Sequence, residues 1–174
     1  MGLFSRKTSY KKIIEDIVVN AFHTSLLDTP GLNDPPEEIG GYMLNNLEGL
    51  AAVFFLVERS FMVIPDSGKR ERAKEYLAKI IFEDMRDEYS SSEMQSLVIP
   101  LIERRLNEYH GILDGSGESG EKIFRLGSRM VDNFIEEDVS PENKAKATTD
   151  LYRSLSVEPA KRLKALHEAN EIGW

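Results

Sequence analysis

The polar residues best suited to chemistry fall into two short segments of the sequence. Glu48 and Glu58 lie among apolar residues, in surroundings where a carboxylate must be paired, protonated or bound to a ligand. Arg105, Tyr109 and His110 lie in the segment ERRLNEYHG, where Arg105 and Tyr109 are four residues apart and share one face of a helix. Together these five residues form a candidate polar cluster that could bind an anionic ligand or supply a general acid.

The same residues also have a purely structural interpretation, which the sequence leaves open. Each glutamate can lie at the rim of the core and pair with an arginine such as Arg104 or Arg105. Tyr109 is then a core aromatic residue whose hydroxyl reaches water, and His110 lies near a helix C-terminus, where a positive charge is favourable. Arg104 and Glu108 are four residues apart and are predicted to pair along the helix.

A metal site and the familiar catalytic motifs are not predicted. A ferritin-like carboxylate site needs Glu-x-x-His on two of its helices, and this sequence contains no Glu-x-x-His. The three histidines, His23, His110 and His167, fall on different predicted helices. The sequence also lacks cysteine, a P-loop and the serine-hydrolase, zinc-protease and kinase motifs. We therefore expect no metal ion and no cofactor, and an enzyme is the less favoured class.

The stretch DGSGESGE contains the letters of the dinucleotide-binding fingerprint G-x-G-x-x-G. In that fold the glycines follow a strand and meet a pyrophosphate. Here they follow a helical pattern, and Asp114, Glu118 and Glu121 around them would repel phosphate. The stretch is predicted to be a helix-to-helix linker at about residues 114–117, with Gly111 or Gly115 as a left-handed helix end.

Length and charge limit the classes to which the chain can belong. With 174 residues, 41% of them hydrophobic, it can fold as one domain with a substantial core. A net charge of −8 repels the phosphates of nucleic acid, so we expect no nucleic-acid partner. The longest apolar run, Gly49 to Val57, is about half the length of a membrane span. We therefore expect a cytoplasmic protein without a transmembrane segment.

The first residues, MGLFSRKTSYKK, carry four basic side chains and lack the apolar run of a secretory signal. Residues 1–9 are predicted to be a flexible basic N-terminus. This tail also contains Leu3 and Phe4, so weak peripheral contact with an anionic membrane is a further expectation, at roughly 1 kcal/mol per basic residue.

Hydrophobic periodicity predicts an all-α, single-domain bundle of about six to seven helices over residues 10–174, without strands. The loop at about residues 28–36 contains three prolines and a glycine. Ser90 and Glu93 have capping-box spacing at the start of helix four, and Pro100 predicts a kink or break within that helix. The predicted helices cover about residues 10–21, 37–63, 68–88, 90–113, 118–137, 140–158 and 159–171.

Helix two differs from the others because apolar residues cover most of its circumference between Met43 and Met62. A helix that is apolar all round is buried on several sides, which predicts a central position in the bundle. The alternative is that one face contacts a partner or a second copy of the chain, with Phe54, Phe55 and Phe61 as the candidate interface.

One segment loosely resembles a known family. FEDMRDEY (82–89), the apolar helix before it and the Arg/Tyr-bearing helix after it resemble the all-helical ubiquinol–cytochrome c chaperone family over about residues 10–113. The pattern departs from that family at SSSEMQSLVIP, and no functional residue is carried over. The resemblance implies a role in assembly or in protein interaction.

Two functional hypotheses follow from the sequence. The first is a non-catalytic helical protein that acts through protein–protein contacts, as an assembly factor, adaptor or regulatory subunit, with a protein partner or as a homo-oligomer. The alternative is a helical bundle with an internal pocket that binds a small molecule or performs acid–base chemistry with residues of the candidate polar cluster.

Overall fold

The structure is a computed structural model that describes residues 8–22, 47–86, 89–134, 141–169 and 172–173. Across these residues it is an all-α bundle of six helices, as the sequence predicts. The predicted loop at about residues 28–36 and the first third of predicted helix two lie outside the described residues. The helices are α1 (Tyr10–Phe22), α2 (Leu47–Ser60, followed by the 3₁₀ turn Phe61–Val63), α3 (Ser67–Met85), α4 (Ser91–Glu93, Met94–Val98 and Ile99–Asp114), α5 (Ser119–Phe134) and α6 (Pro141–Tyr152, Arg153–Val157 and Glu158–Glu168).

Helix α2 lies at the centre of the bundle and packs against each of the other five helices. Every residue from Gly49 to Val57 is buried, which agrees with its apolar sequence. Phe54, Phe55 and Phe61, predicted as a candidate interface, are buried in this core. Because the chain's own helices cover α2, these three side chains belong to the interior of the bundle.

Helix α4 begins at the predicted capping box. The Ser90 amide donates to Glu93 Oε2 at 2.8 Å, and the Glu93 amide donates to Ser90 Oγ at 3.3 Å. Pro100 does not break the helix. The chain instead forms a wider π-helical turn over Met94–Val98, in which the Ile99 amide donates to the Met94 carbonyl.

The π-helical turn changes which side chains of α4 face the core. The π-helical turn is wider than an α-helical turn. The buried positions in the first part of α4 are therefore four residues apart, at Met94, Val98 and Ile102. Leu97 is rotated outward and is 48% exposed.

Helix α6 uses the same arrangement and joins two of the predicted helices into one. The sequence predicts a new helix starting near Pro159, whereas the structure has one continuous helix with a π-helical turn over Arg153–Val157. The Glu158 amide donates to the Arg153 carbonyl, and Pro159 follows directly. Helices six and seven of the sequence are therefore one element.

Residues 115–118 connect α4 and α5. The left-handed residue is Gly117, with φ of 124°, and not Gly111 or Gly115 as predicted. A Cβ atom at Gly117 would lie 2.9 Å from Arg125 Nη2, and Arg125 Nη2 donates to the Ser116 carbonyl at 2.6 Å. The arginine therefore fixes the linker against the first turns of α5.

The two ends of the described chain meet in a short strand pair. Thr8–Ser9 (β1) pairs in parallel with Ile172–Gly173 (β2), with Thr8 opposite Ile172 and Ser9 opposite Gly173. The sequence predicts no strand and assigns residues 8 and 9 to a flexible tail, so this pairing is a correction. Among the described residues, no helix has the length and apolar character that crossing a membrane requires.

Candidate functional site

Arg105 is the centre of the polar contacts between α2 and α4. Its Nε and Nη2 atoms both donate to the carboxylate of Glu48, the latter at 2.6 Å, and its Nη1 donates to Glu108 Oε2 at 2.7 Å. The side chains of Arg105 and Glu48 are 15% and 18% exposed. The hydrogen bond to Glu48 raises the pKa of Arg105, and the bond to Glu108 raises it further against the effect of burial. The guanidinium is therefore held by two carboxylates.

Glu108 extends this contact to a third helix, because Arg129 of α5 donates from Nε to Glu108 Oε1. Burial favours protonation of Glu108, but the bonds from Arg105 and Arg129 outweigh it and hold its pKa below the usual range. The predicted Arg104–Glu108 pair is wrong. Arg104 is 66% exposed and approaches Glu48 at 3.9 Å. Arg129 could not be predicted from local spacing, since its partner Glu108 lies on another helix.

Tyr109 is a core residue with a bonded hydroxyl. Its ring meets Phe55 edge-on, with the ring centroids 5.4 Å apart, and its hydroxyl accepts a hydrogen bond from Asn133 Nδ2 at 3.1 Å. Burial raises the pKa of Tyr109 to about 12. A phenol with that pKa keeps its proton near neutral pH, which does not suit a general acid or base.

Glu58 and His110 form a second polar contact together with Lys74 of α3. Lys74 Nζ lies 2.8 Å from Glu58 Oε1, and His110 Nε2 lies 3.9 Å from Glu58 Oε2. The His110 ring also packs edge-on against Phe55, with the centroids 4.9 Å apart. The hydrogen bond to Glu58 is the main cause of the raised pKa of Lys74. The cation that pairs with Glu58 is thus Lys74, which was not among the possible partners considered from the sequence.

Four of the five residues of the candidate polar cluster therefore form two separate contacts, and Tyr109 belongs to neither. At 1.5 Å per residue, Glu48 and Glu58 are about 15 Å apart along α2. Arg105 contacts the first glutamate and His110 the second, while Tyr109 packs on Phe55 between them. Each carboxylate is neutralised by a cation from another helix, an arrangement that holds helices together.

Three cavities lined by described residues lie away from these contacts. One of about 10 Å³, between α2, α5 and α6, holds no more than a water molecule. An open groove of about 340 Å³ lies where α3 meets α4, beside Phe82, Arg86 and Met94. Another, of about 300 Å³, lies beside Ile17 and Pro159, where α1 meets α6. Within the described parts of the chain, no group of three metal-ligating side chains is assembled.

A further contact, between Tyr10 and His167, was missed by the sequence analysis. The Tyr10 hydroxyl and His167 Nε2 form a hydrogen bond, and the ring centroids are 5.5 Å apart. Burial lowers the pKa of His167, and the positive charge of Lys69 lowers it further. Burial, together with the negative charge of Asp66, raises the pKa of Tyr10. These residues are far apart in the sequence, and no local spacing reveals such a pair.

No protein-family model matches the chain, and no significant similarity was found to a curated protein or to a solved structure. The resemblance to the ubiquinol–cytochrome c chaperone family therefore receives no support from the family comparison.

Proposed function

We propose that this chain is a non-catalytic helical protein that acts through contacts with another protein or with further copies of itself. The main support is the pairing of Arg105 with Glu48 and Glu108. Ionisable groups that could have performed acid–base chemistry are engaged in bonds between helices. They border none of the three cavities described above.

Exposed apolar side chains provide the surface for such contacts. Leu97 on α4 and Phe124 on α5 are 48% and 46% exposed. Large apolar side chains of this kind lose contact with water when a partner covers them, and such burial drives most protein association.

The test compares two variants of α4 that add the same charge. Leu97→Glu replaces an exposed apolar side chain, and Asn107→Glu replaces an exposed polar one on the same helix. We expect native mass spectrometry and light scattering to find the wild type as an oligomer or with a stoichiometric protein partner. Leu97→Glu should weaken that association at least about tenfold, equivalent to about 1.4 kcal/mol, and Asn107→Glu should leave it unchanged.

One result contradicts this role, and another contradicts only the placement of Leu97 in the contact surface. A wild-type monomer that carries a small molecule on every subunit would favour the alternative, a bundle with an internal ligand pocket. If the wild type and both variants associate equally, Leu97 does not lie in the contact surface. Circular dichroism of each variant shows whether the helices are intact, so that loss of association is distinguished from loss of fold.

A further inference from the structure

The turn between α2 and α3 lies beside the strand pair that joins the ends of the described chain. Tyr10, directly after β1, is hydrogen-bonded to His167 in the last turn of α6. Besides burial, the charge of Asp66 raises the pKa of Tyr10, and the charge of Lys69 lowers the pKa of His167. The 3₁₀ turn after α2 also packs against the last part of α6. The starts of α1 and α3 and the end of α6 therefore meet at one surface.

We call this the terminal surface and define it by Lys12, Met62, Pro65, Asp66, Lys69 and Arg70. Met62 is 50% exposed, and Pro65 is exposed close to it. Lys12 is also exposed, whereas Lys69 and Arg70 are half-buried. Asp66 is the one carboxylate of the set, and its Oδ1 accepts the amide of Lys69 at 2.8 Å. The terminal surface therefore combines three cations and one carboxylate with exposed apolar side chains.

The charge of the terminal surface is opposite to that of the whole chain. Two acidic side chains next to it are paired with cations. Asp16 Oδ2 lies 2.9 Å from Arg162 Nη2, and Glu168 Oε1 lies 3.9 Å from Lys164 Nζ. The chain as a whole has a net charge of −8. An anionic partner is therefore attracted to the terminal surface and repelled by most of the remaining surface, which orients the molecule.

We propose that the terminal surface binds the headgroup region of an anionic membrane. Its cations attract lipid phosphates and carboxylates, while Met62 and Pro65 enter the boundary between headgroups and acyl chains. The adjoining sequence has the same character, since Arg6 and Lys7 directly precede β1 and Trp174 directly follows β2. Tryptophan is enriched at membrane–water interfaces. This combination of cationic, apolar and aromatic side chains favours a lipid surface over an acidic protein.

Co-sedimentation of the full chain with lipid vesicles tests the proposal. We expect binding to vesicles of phosphatidylcholine with about 30 mol% phosphatidylserine, and no binding to pure phosphatidylcholine. Raising the salt to about 1 M, where the Debye length is about 3 Å, should release the protein. Trp174 is the only tryptophan of the chain, so its emission should move to shorter wavelength when the terminal surface meets the bilayer.

Two lysine variants of α3 distinguish the terminal surface from net charge alone. Lys69→Gln should lower the vesicle partition coefficient about fivefold, the factor expected for one basic residue at an anionic membrane. Lys79→Gln removes the same charge from a 62% exposed position about 15 Å further along α3, and should bind like the wild type. Met62→Ser should weaken vesicle binding without changing its salt dependence, because it removes an apolar contact and no charge.

Equal losses from Lys69→Gln and Lys79→Gln would overturn the proposal, as would equal binding of the wild type to both kinds of vesicle. If the wild type does not bind the anionic vesicles, the proposal is wrong. Binding of polyglutamate that depends on Lys69 would then assign the terminal surface to an acidic protein. Circular dichroism verifies that each variant is folded. The terminal surface does not include Leu97, so these results are independent of the proposed contact function of α4.

Discussion

At the scale of single residues, Arg105 carries the most consequential polar contact described. It bonds Glu48 on α2 and Glu108 on its own helix, and Arg129 links Glu108 to α5. The Arg105 and Glu48 side chains are largely shielded from water. A partly buried carboxylate that loses its cation keeps its desolvation cost without the compensating attraction.

Arg105→Met should therefore destabilise the fold by about 3 kcal/mol. The variant removes a cation that pairs with Glu48 and Glu108, while both carboxylates stay in a position shielded from water. Arg104→Met is the matched control. Arg104 is exposed and only approaches Glu48 at 3.9 Å, so its loss should cost about 0.5 kcal/mol or less. Urea denaturation of both variants measures the difference. Equal effects would mean that the Arg105 contacts add no stability beyond that of a surface charge.

At the scale of whole elements, Pro100 of α4 and Pro159 of α6 each follow a π-helical turn. Pro100 comes two residues after Val98, and Pro159 comes two residues after Val157. Proline has no amide hydrogen to donate to the preceding turn. The missing amide donor falls next to the π-helical turn, where the hydrogen-bond pattern already changes. The helix therefore continues through the proline.

The shifted apolar face of α4 gives a test on neighbouring residues. Val98→Asp places an unpaired charge in the core and should destabilise the protein by more than about 3 kcal/mol. Leu97→Asp adds the same charge at an exposed position and should cost less than about 1 kcal/mol. Thermal denaturation followed by circular dichroism compares them. Similar losses from both variants would indicate a regular α-helix across this segment.

Periodicity and capping chemistry made the element type predictable, because both act over a few residues. The apolar run of α2 predicted a central helix, and the Ser90 capping box was correct in atomic detail. The partners of Glu58 and His167 were not predictable, since Lys74 and Tyr10 reach them only after distant helices pack. The outward rotation of Leu97 depends on a backbone turn for which no residue spacing is diagnostic.

At the scale of the whole molecule, α2 joins the other five helices into one cooperative structure. A charge buried in α2 is expected to disrupt all of these contacts together. Phe54→Asp should therefore abolish folding, whereas Met62→Asp, at a position 50% exposed just beyond α2, should leave a folded protein. Far-ultraviolet circular dichroism and analytical ultracentrifugation report both outcomes. A folded Phe54→Asp protein would contradict the central role of α2.

The parallel direction of β1 and β2 also determines how the molecule responds to mechanical force. A pull on the N-terminus acts at the Thr8 end of β1, and a pull on the C-terminus acts at the Gly173 end of β2. In a parallel pair these are opposite ends, so tension between the termini slides one strand along the other and loads their hydrogen bonds together. We therefore expect tension between Thr8 and Gly173 to shear this strand pair before it extends the helices.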